Sequence, residues 1–287
     1  MEYTQIAVER RGNVAWLFHD RPGARNAESM QLLDELDHAL QSAIDAEDVR
    51  VIVVGGKGDH FSAGHDLKEA QAKRAEFTVE ERFAYEERRY LGYAMRIWDC
   101  PKPTIASVQG ACVAGGFMVA NMCDMIVASD DAFFADPVCN TLASAAVEVL
   151  CHPWVMGLRT AKEFLFTGRR MSAEEAQRVG MVNRVVQRAE LEAATTELAE
   201  KIAAAPPFAT MLTKRSLNRT ADMQGLQECA PEPFRYAPAL ARKRRVPSHA
   251  RAGHCGCHFA RQESNCGLNA FAPSCESRRV FTKSSSA

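Results

Sequence analysis

At 287 residues, 47% of them hydrophobic and 25% charged, the chain has the composition of a soluble globular protein long enough to bury a substantial core. Those proportions exclude wholesale disorder, a collagen-like repeat and a coiled coil, and no run of about 18 apolar residues is present to span a bilayer. The formal net charge of −1 gives no global reason to expect nucleic acid as a partner. That neutrality adds two unlike pieces. Residues 241–287 hold nine Lys or Arg against two acids, leaving 26 basic and 34 acidic residues, a balance of −8, in the first 240. The opening MEYTQIAVERRG mixes acidic, polar and apolar residues from the start, which is not the pattern of a signal peptide, so a cytoplasmic protein is expected.

In chain order, Gln5–Arg10 and Val14–His19 read as short strands about a turn at Gly12. Ser29 is placed to cap a helix bearing Met30, Leu33, Leu36, Leu40 and Ile44 at spacings of three and four. The apolar runs Val51–Val54, Thr104–Val108 and Met125–Ser129 each predict a strand buried on both faces. Ser172-Ala-Glu-Glu175 is a capping box opening a helix that Gly180 ends, and Val182–Val186 predicts one more strand. Two helices follow, Leu191–Ala204 and Phe208–Asn218, divided by Pro206-Pro207. Strands alternating with helices predict an α/β fold with much parallel pairing.

Past Cys229 the periodicity fades among Pro231, Pro233, Pro238 and Pro247, and the basic tail 241–287 is expected to be disordered. A replaced C-terminus would account for this abrupt change. The tail carries four of the ten cysteines, including Cys255-Gly-Cys257 between His254 and His258, but the spacing is not a paired zinc pattern and no metal site is expected. Cys112, Cys123, Cys139 and Cys151 stand among apolar residues and are expected to be buried thiols of a reducing compartment.

Two glycine-bearing segments carry the chemistry. His60-Phe-Ser-Ala-Gly-His-Asp-Leu-Lys-Glu69 follows a buried strand and precedes a polar helical stretch, and Gln109–Asp124, with Ala114-Gly-Gly116, repeats the order strand, turn, helix. Glycine at a helix start lets the backbone approach a ligand, where first-turn N–H groups are unpaired donors. Two such turns side by side would aim two N–H groups at one oxygen, as in an oxyanion hole; the alternative is a pair of plain tight turns. No Walker-type or dinucleotide glycine pattern is present.

The motifs Asp20-Arg-Pro, Arg25-Asn-Ala27, Phe61-Ser-Ala-Gly-His-Asp-Leu67, Pro101-Lys-Pro-Thr-Ile105, Ala114-Gly-Gly116, Cys123-Asp124, Phe133-Phe-Ala-Asp-Pro137, Phe166-Thr-Gly168 and Gly180-Met-Val-Asn183 occur in this order. Through them residues 4–225 resemble the crotonase superfamily, the enoyl-CoA hydratases and isomerases. The resemblance implies a crotonase-type ββα spiral over 1–195, a C-terminal helical segment over 196–240, and assembly as a homotrimer or hexamer. It implies an acyl-CoA substrate with no separate cofactor, and an enzyme of the lyase or isomerase class. The thioester oxygen would be held by the N–H groups of His65 and Gly115, and the CoA moiety by Ala27, Ala63, Asp66, Leu67 and Lys68. For Asp66 the alternative is a carboxylate that caps the following helix.

The two glutamates that a hydratase of this family uses map onto Met118 and Val138, neither able to move a proton, which puts water addition in doubt. Asp136, two residues earlier in an extended loop, would share a face with Val138, or would simply start a turn at Pro137. Glu148 and His152, four apart on an expected helix Ala145–Met156, form either an acid/base pair or a surface ion pair. Phe61-Ser-Ala-Gly-His-Asp66 and Pro137-Val138 are also similar to methylmalonyl-CoA decarboxylase, in which the histidine lines the active site, although that relative's tyrosine falls near Ser144 here. The expected function is therefore acyl-CoA chemistry through an oxyanion-stabilised enolate. The alternatives are a decarboxylase using His65 and an acyl-CoA-binding protein without catalysis.

Overall fold

Val14–His19 (β2) is buried at every residue, and its alternation sorts the core into two layers: Val14, Trp16 and Phe18 face one side, Ala15 and Leu17 the other. The computed structural model describes residues 2–73, 76–141 and 151–226, all within the first of two units into which the chain divides, residues 1–245. Ile6–Arg11 (β1) pairs antiparallel with β2, and β2 then pairs parallel with Val51–Gly56 (β3). Thr104–Val108 (β4), Met125–Ser129 (β6) and Arg184–Val186 (β9) continue the parallel run, completing a six-stranded sheet ordered β1-β2-β3-β4-β6-β9. A second sheet joins Ala111–Val113 (β5) parallel to Phe133–Ala135 (β7), and β7 antiparallel to Arg170–Ser172 (β8).

Helix Met30–Asp45 (α1) covers one face of the large sheet. The Ser29 hydroxyl accepts the Leu32 N–H at 3.1 Å, and Leu32, Leu33, Leu36, Ala39, Leu40 and Ala43 are buried. Each fully buried leucine contributes roughly 1.5–3 kcal/mol. The opposite face is covered by Leu191–Ala203 (α10), whose Leu191, Ala199 and Ala203 pack on Trp16, Val51 and Val53. Between the glycine loop and β4 run Leu67–Lys73 (α2), Val79–Glu86 (α3), a π-helical turn Glu87–Leu91 and Gly92–Trp98 (α4). Gly115–Met122 (α5) is buried along its whole length. Val138–Thr141 (α6), His152–Met156 (α7), Leu158–Thr167 (α8) and Ala173–Arg178 (α9) follow, the last capped by Ser172, whose hydroxyl accepts the Glu175 N–H at 3.2 Å.

The last helix, Pro207–Met223 (α11), is anchored by a buried lysine. Lys214 pairs with Asp124 at 2.9 Å and donates to the carbonyls of Ile97 and Lys102, while Asp124 accepts the Thr104 N–H at 2.7 Å. The carboxylate of the Cys123-Asp124 motif thus clamps the start of β4 to α11.

Three sequence expectations change. The strand expected over 182–186 begins only at Arg184, because the Met181 and Val182 N–H groups turn back to the Ala176 carbonyl. The helix expected to end at Asn218 runs on to Met223, since no breaker intervenes before Gly225. Cys139 is exposed, because it follows the buried Val138 in α6 and a helix turns about 100° per residue. Cys112, Cys123 and Cys151 are buried as expected. Glu148, Ser144 and the tail 241–287 lie outside the described residues.

Candidate active site

Three chain segments distant in sequence are laced together by main-chain bonds. Ser62 donates its N–H to the Ala111 carbonyl at 3.0 Å and accepts the Val113 N–H at 3.0 Å, fixing the glycine loop to β5. On its other side, the Ala63 N–H reaches the Arg25 carbonyl at 3.0 Å, the Glu28 N–H reaches the Gly64 carbonyl at 2.8 Å, and the Asp66 N–H reaches the Glu28 carbonyl at 3.1 Å. The last two bonds make a parallel bridge between Glu28 and His65, in which the main-chain N–H of His65 points away from the Glu28 strand.

Gly64 has φ +78°, and a Cβ there would stand 2.6 Å from the Val113 carbonyl oxygen and 3.2 Å from the Gly115 nitrogen. Only glycine allows this approach. The next turn is strained: Ala114 holds φ 48° and ψ −111° while donating its N–H to the Ala135 carbonyl at 2.9 Å. A non-glycine residue in such a conformation costs on the order of 1–3 kcal/mol and persists where its surroundings enforce it. Immediately after it, Gly115 opens α5, so its N–H has no acceptor within its own helix. A Cβ on Gly115 would overlap the Glu28 carboxylate and stand 3.0 Å from His65 Nδ1. The structure therefore sets the His65 ring beside Gly115, the two residues that the resemblance paired.

The His65 ring is stacked on Tyr90, centroids 3.8 Å apart and planes 1° from parallel, and its Nε2 lies 3.8 Å from the Glu86 carboxylate. Asp66 performs the capping role: it accepts the Glu69 N–H at 3.0 Å at the start of α2 and pairs with Arg21 at 3.0 Å. Burial pushes its carboxyl up, but the Glu69 N–H and Arg21 outweigh that and hold it below its ordinary value. Arg21 also donates to the Ala27 carbonyl at 2.6 Å, so the first motif of the chain ties Ala27 to Asp66. Ala27 and Ala63 are half-buried, whereas Leu67 and Lys68 are exposed at the rim. Behind the loop, His19 is buried with Nδ1 at 3.2 Å from the Phe61 carbonyl, and burial lowers its pKa to about 4.

Met118 and Val138 are both buried and contribute hydrocarbon. Asp136 is fully buried, but it has partners of its own: Oδ1 accepts the Val138 N–H at 3.3 Å, and Oδ2 lies 3.1 Å from His152 Nε2. His152 is equally buried and stacks on Phe117 at 4.7 Å. Both readings of Asp136 hold in part, since it points inward and also starts the turn. Cys112 donates to the Gly116 carbonyl, and burial raises its thiol well above the ordinary value. Among the described residues no cluster of His, Cys, Asp or Glu is arranged to hold a metal, and no helix is long and apolar enough to cross a membrane.

Sequence reasoning missed Glu28. It stands between Ala27, read as a binding position, and Ser29, read as a helix cap, outside either pattern. The available signal was its charge: a carboxylate at the entrance to an apolar helix stripe, in a segment already assigned to the ligand.

The family described as enoyl-CoA hydratase/isomerase matches residues 9–234. EchA13 of Mycobacterium tuberculosis is 39% identical over 241 residues, covering 78% of this chain and 76% of that one. 4-Chlorobenzoyl coenzyme A dehalogenase-2 of Arthrobacter is 33% identical over 225 residues, covering 78% and 81%. A crystal structure of an enoyl-CoA hydratase/isomerase from Xanthobacter autotrophicus Py2 superimposes with a TM-score of 0.79 at 36% identity, covering 83% of this chain and 88% of that one. The chain belongs to the enoyl-CoA hydratase/isomerase family.

Proposed function

We propose that this protein acts on an acyl-CoA thioester through an enolate whose oxygen is held by the main-chain N–H groups of His65 and Gly115. The observation that supports this reading is the close approach of Gly64 to the Val113–Gly115 turn at the start of α5, an approach that a pair of converging amides requires. Such donors act where negative charge develops, and removal of one costs about 10²–10³ in rate. CoA enters as part of the substrate, along Ala27, Ala63, Asp66, Leu67 and Lys68. Hydration by a pair of glutamates is disfavoured, because Met118 and Val138 occupy the corresponding positions. Relatives named as a hydratase/isomerase and as a dehalogenase support a shared hold on the thioester with differing chemistry beyond it.

A second reading, decarboxylation assisted by His65, is favoured by the imidazole lying beside Gly115. The test is to incubate the protein with crotonyl-, methylmalonyl- and longer acyl-CoAs, following product and binding together. Turnover that falls about 10²–10³-fold in Gly115→Ala supports the enolate reading; tight binding with no turnover of any thioester means an acyl-CoA-binding protein instead. We take the working assembly to be a trimer or a pair of trimers in the cytoplasm, supported by the exposed Phe208, Leu212, Leu217 and Met223 of α11 and by buried cysteines that form no disulfide. A solution mass equal to one chain overturns that assembly.

A further inference from the structure

We propose that Glu28 is the general acid/base of this site, moving a proton to and from the acyl chain while the thioester oxygen is held by His65 and Gly115. The inference rests on the acyl-CoA reading above. Glu28 is 1% exposed, and its main chain is locked to the glycine loop by bonds to Gly64 and Asp66. Its carboxylate lies so close to Gly115 that a methyl group there would collide with it, and the Ser62 hydroxyl reaches its other oxygen at 3.4 Å. The absence of a side chain at Gly115 is what admits the carboxylate.

Among the described residues, Met118 and Val138 cannot accept a proton, Asp136 lies against His152 and accepts the Val138 N–H, and Glu86 stands 3.8 Å from the other ring nitrogen of His65. A thioester oxygen held at the Gly115 amide would bring the adjoining carbon into the neighbourhood of the Glu28 carboxylate, which stands against the Gly115 Cα. The carboxylate removes the proton from that carbon. The C–H electron pair becomes the carbon–carbon double bond of the enolate, and the carbonyl π pair moves onto the oxygen facing the two N–H groups. In a β,γ-unsaturated thioester, protonated Glu28 then delivers the proton to the γ carbon. The oxygen lone pair restores the carbonyl, and the remaining π electrons settle between the α and β carbons. No co-reactant is needed, so the substrate class is an acyl-CoA with an acidified α carbon and the product is its conjugated isomer.

The experiment uses but-3-enoyl-CoA in D₂O, with deuterium uptake followed by mass spectrometry and conversion to crotonyl-CoA by absorbance. Butyryl-CoA, which cannot isomerise, reports binding. Both are measured for the wild type, Glu28→Gln and Glu28→Asp, with circular dichroism to verify folding. The expected result is a fall of about 10²–10⁴-fold in exchange and isomerisation for Glu28→Gln, an intermediate rate for Glu28→Asp, and butyryl-CoA dissociation constants within about threefold of wild type. Exchange in Glu28→Gln at the wild-type rate overturns the role of Glu28 and leaves the acyl-CoA reading standing. Wild-type binding of butyryl-CoA with no exchange of but-3-enoyl-CoA also overturns it. Failure of the wild type to bind any acyl-CoA overturns the acyl-CoA reading and this inference with it.

Discussion

Glu28 and Asp136 are both buried carboxylates, and they differ in what surrounds them. Asp136 follows β7 directly, meets His152 at 3.1 Å and accepts the first amide of α6. Glu28 follows the left-handed pair Arg25 and Asn26, is laced to the glycine loop through its main chain, and sets its carboxylate against the bare Cα of Gly115. Burial makes either group costly unless it has partners. What separates them is where those partners lie: Asp136 joins two parts of the core, whereas Glu28 stands at a helix start whose donors point outward.

This contrast can be broken by substitution. A large effect is expected at Gly115→Ala, where the added methyl collides with the Glu28 carboxylate and shifts the amide, lowering acyl-CoA turnover by about 10²–10³-fold in steady-state kinetics. On the other side, His152→Leu strands Asp136 in the core and is expected to cost about 3–5 kcal/mol by denaturant unfolding. The double variant Asp136→Leu with His152→Leu is expected to lose less than the two single losses combined, because the second change removes the group the first left unpartnered. An additive result would mean that the pair is not coupled.

The glycine-loop side is expected to carry the acid sensitivity. His19 is neutral when folded, with its pKa lowered to about 4 from the ordinary 6.5 by burial. The unfolded chain therefore binds the extra proton first, so the stability is full above pH 6.5, falls as pH drops toward 4, and levels below that. The loss across that window is about 3 kcal/mol, and His19→Gln is expected to flatten it in unfolding measured against pH. The smallest effect is expected at Asp66→Asn, which keeps a capping oxygen but loses the Arg21 pair: about 1 kcal/mol, a drop of roughly 2–4 °C in melting temperature.

The strands of the six-stranded sheet, α1 and the capped α9 were legible in the sequence because apolar runs, period-3.6 patterns and caps are local properties, whereas the three-residue strands β5, β7 and β8 are too short to show a period. The pairing of His65 with Gly115 was legible through resemblance, since the family motif spans both loops. Glu28 was not, because a single carboxylate between a binding position and a cap belongs to no period. The Asp136–His152 pair was half legible: the i, i+2 argument turned Asp136 inward, but only the fold brings α7 to it. The Asp124–Lys214 clamp joins residues 90 positions apart, beyond the reach of any local rule.

The lacing of residues 25–28, 62–66 and 111–115 ties the site to the fate of the whole domain. No fragment ending before residue 115 contains both His65 and Gly115, so the site cannot assemble until that stretch has emerged. Opening the site would mean breaking the main-chain bonds that join the glycine loop to β5. An acyl-CoA bound there at a hundred times its dissociation constant adds about 2.7 kcal/mol to the stability of the whole folded body. Ligand supply would then set how long each copy lasts as well as how fast it works.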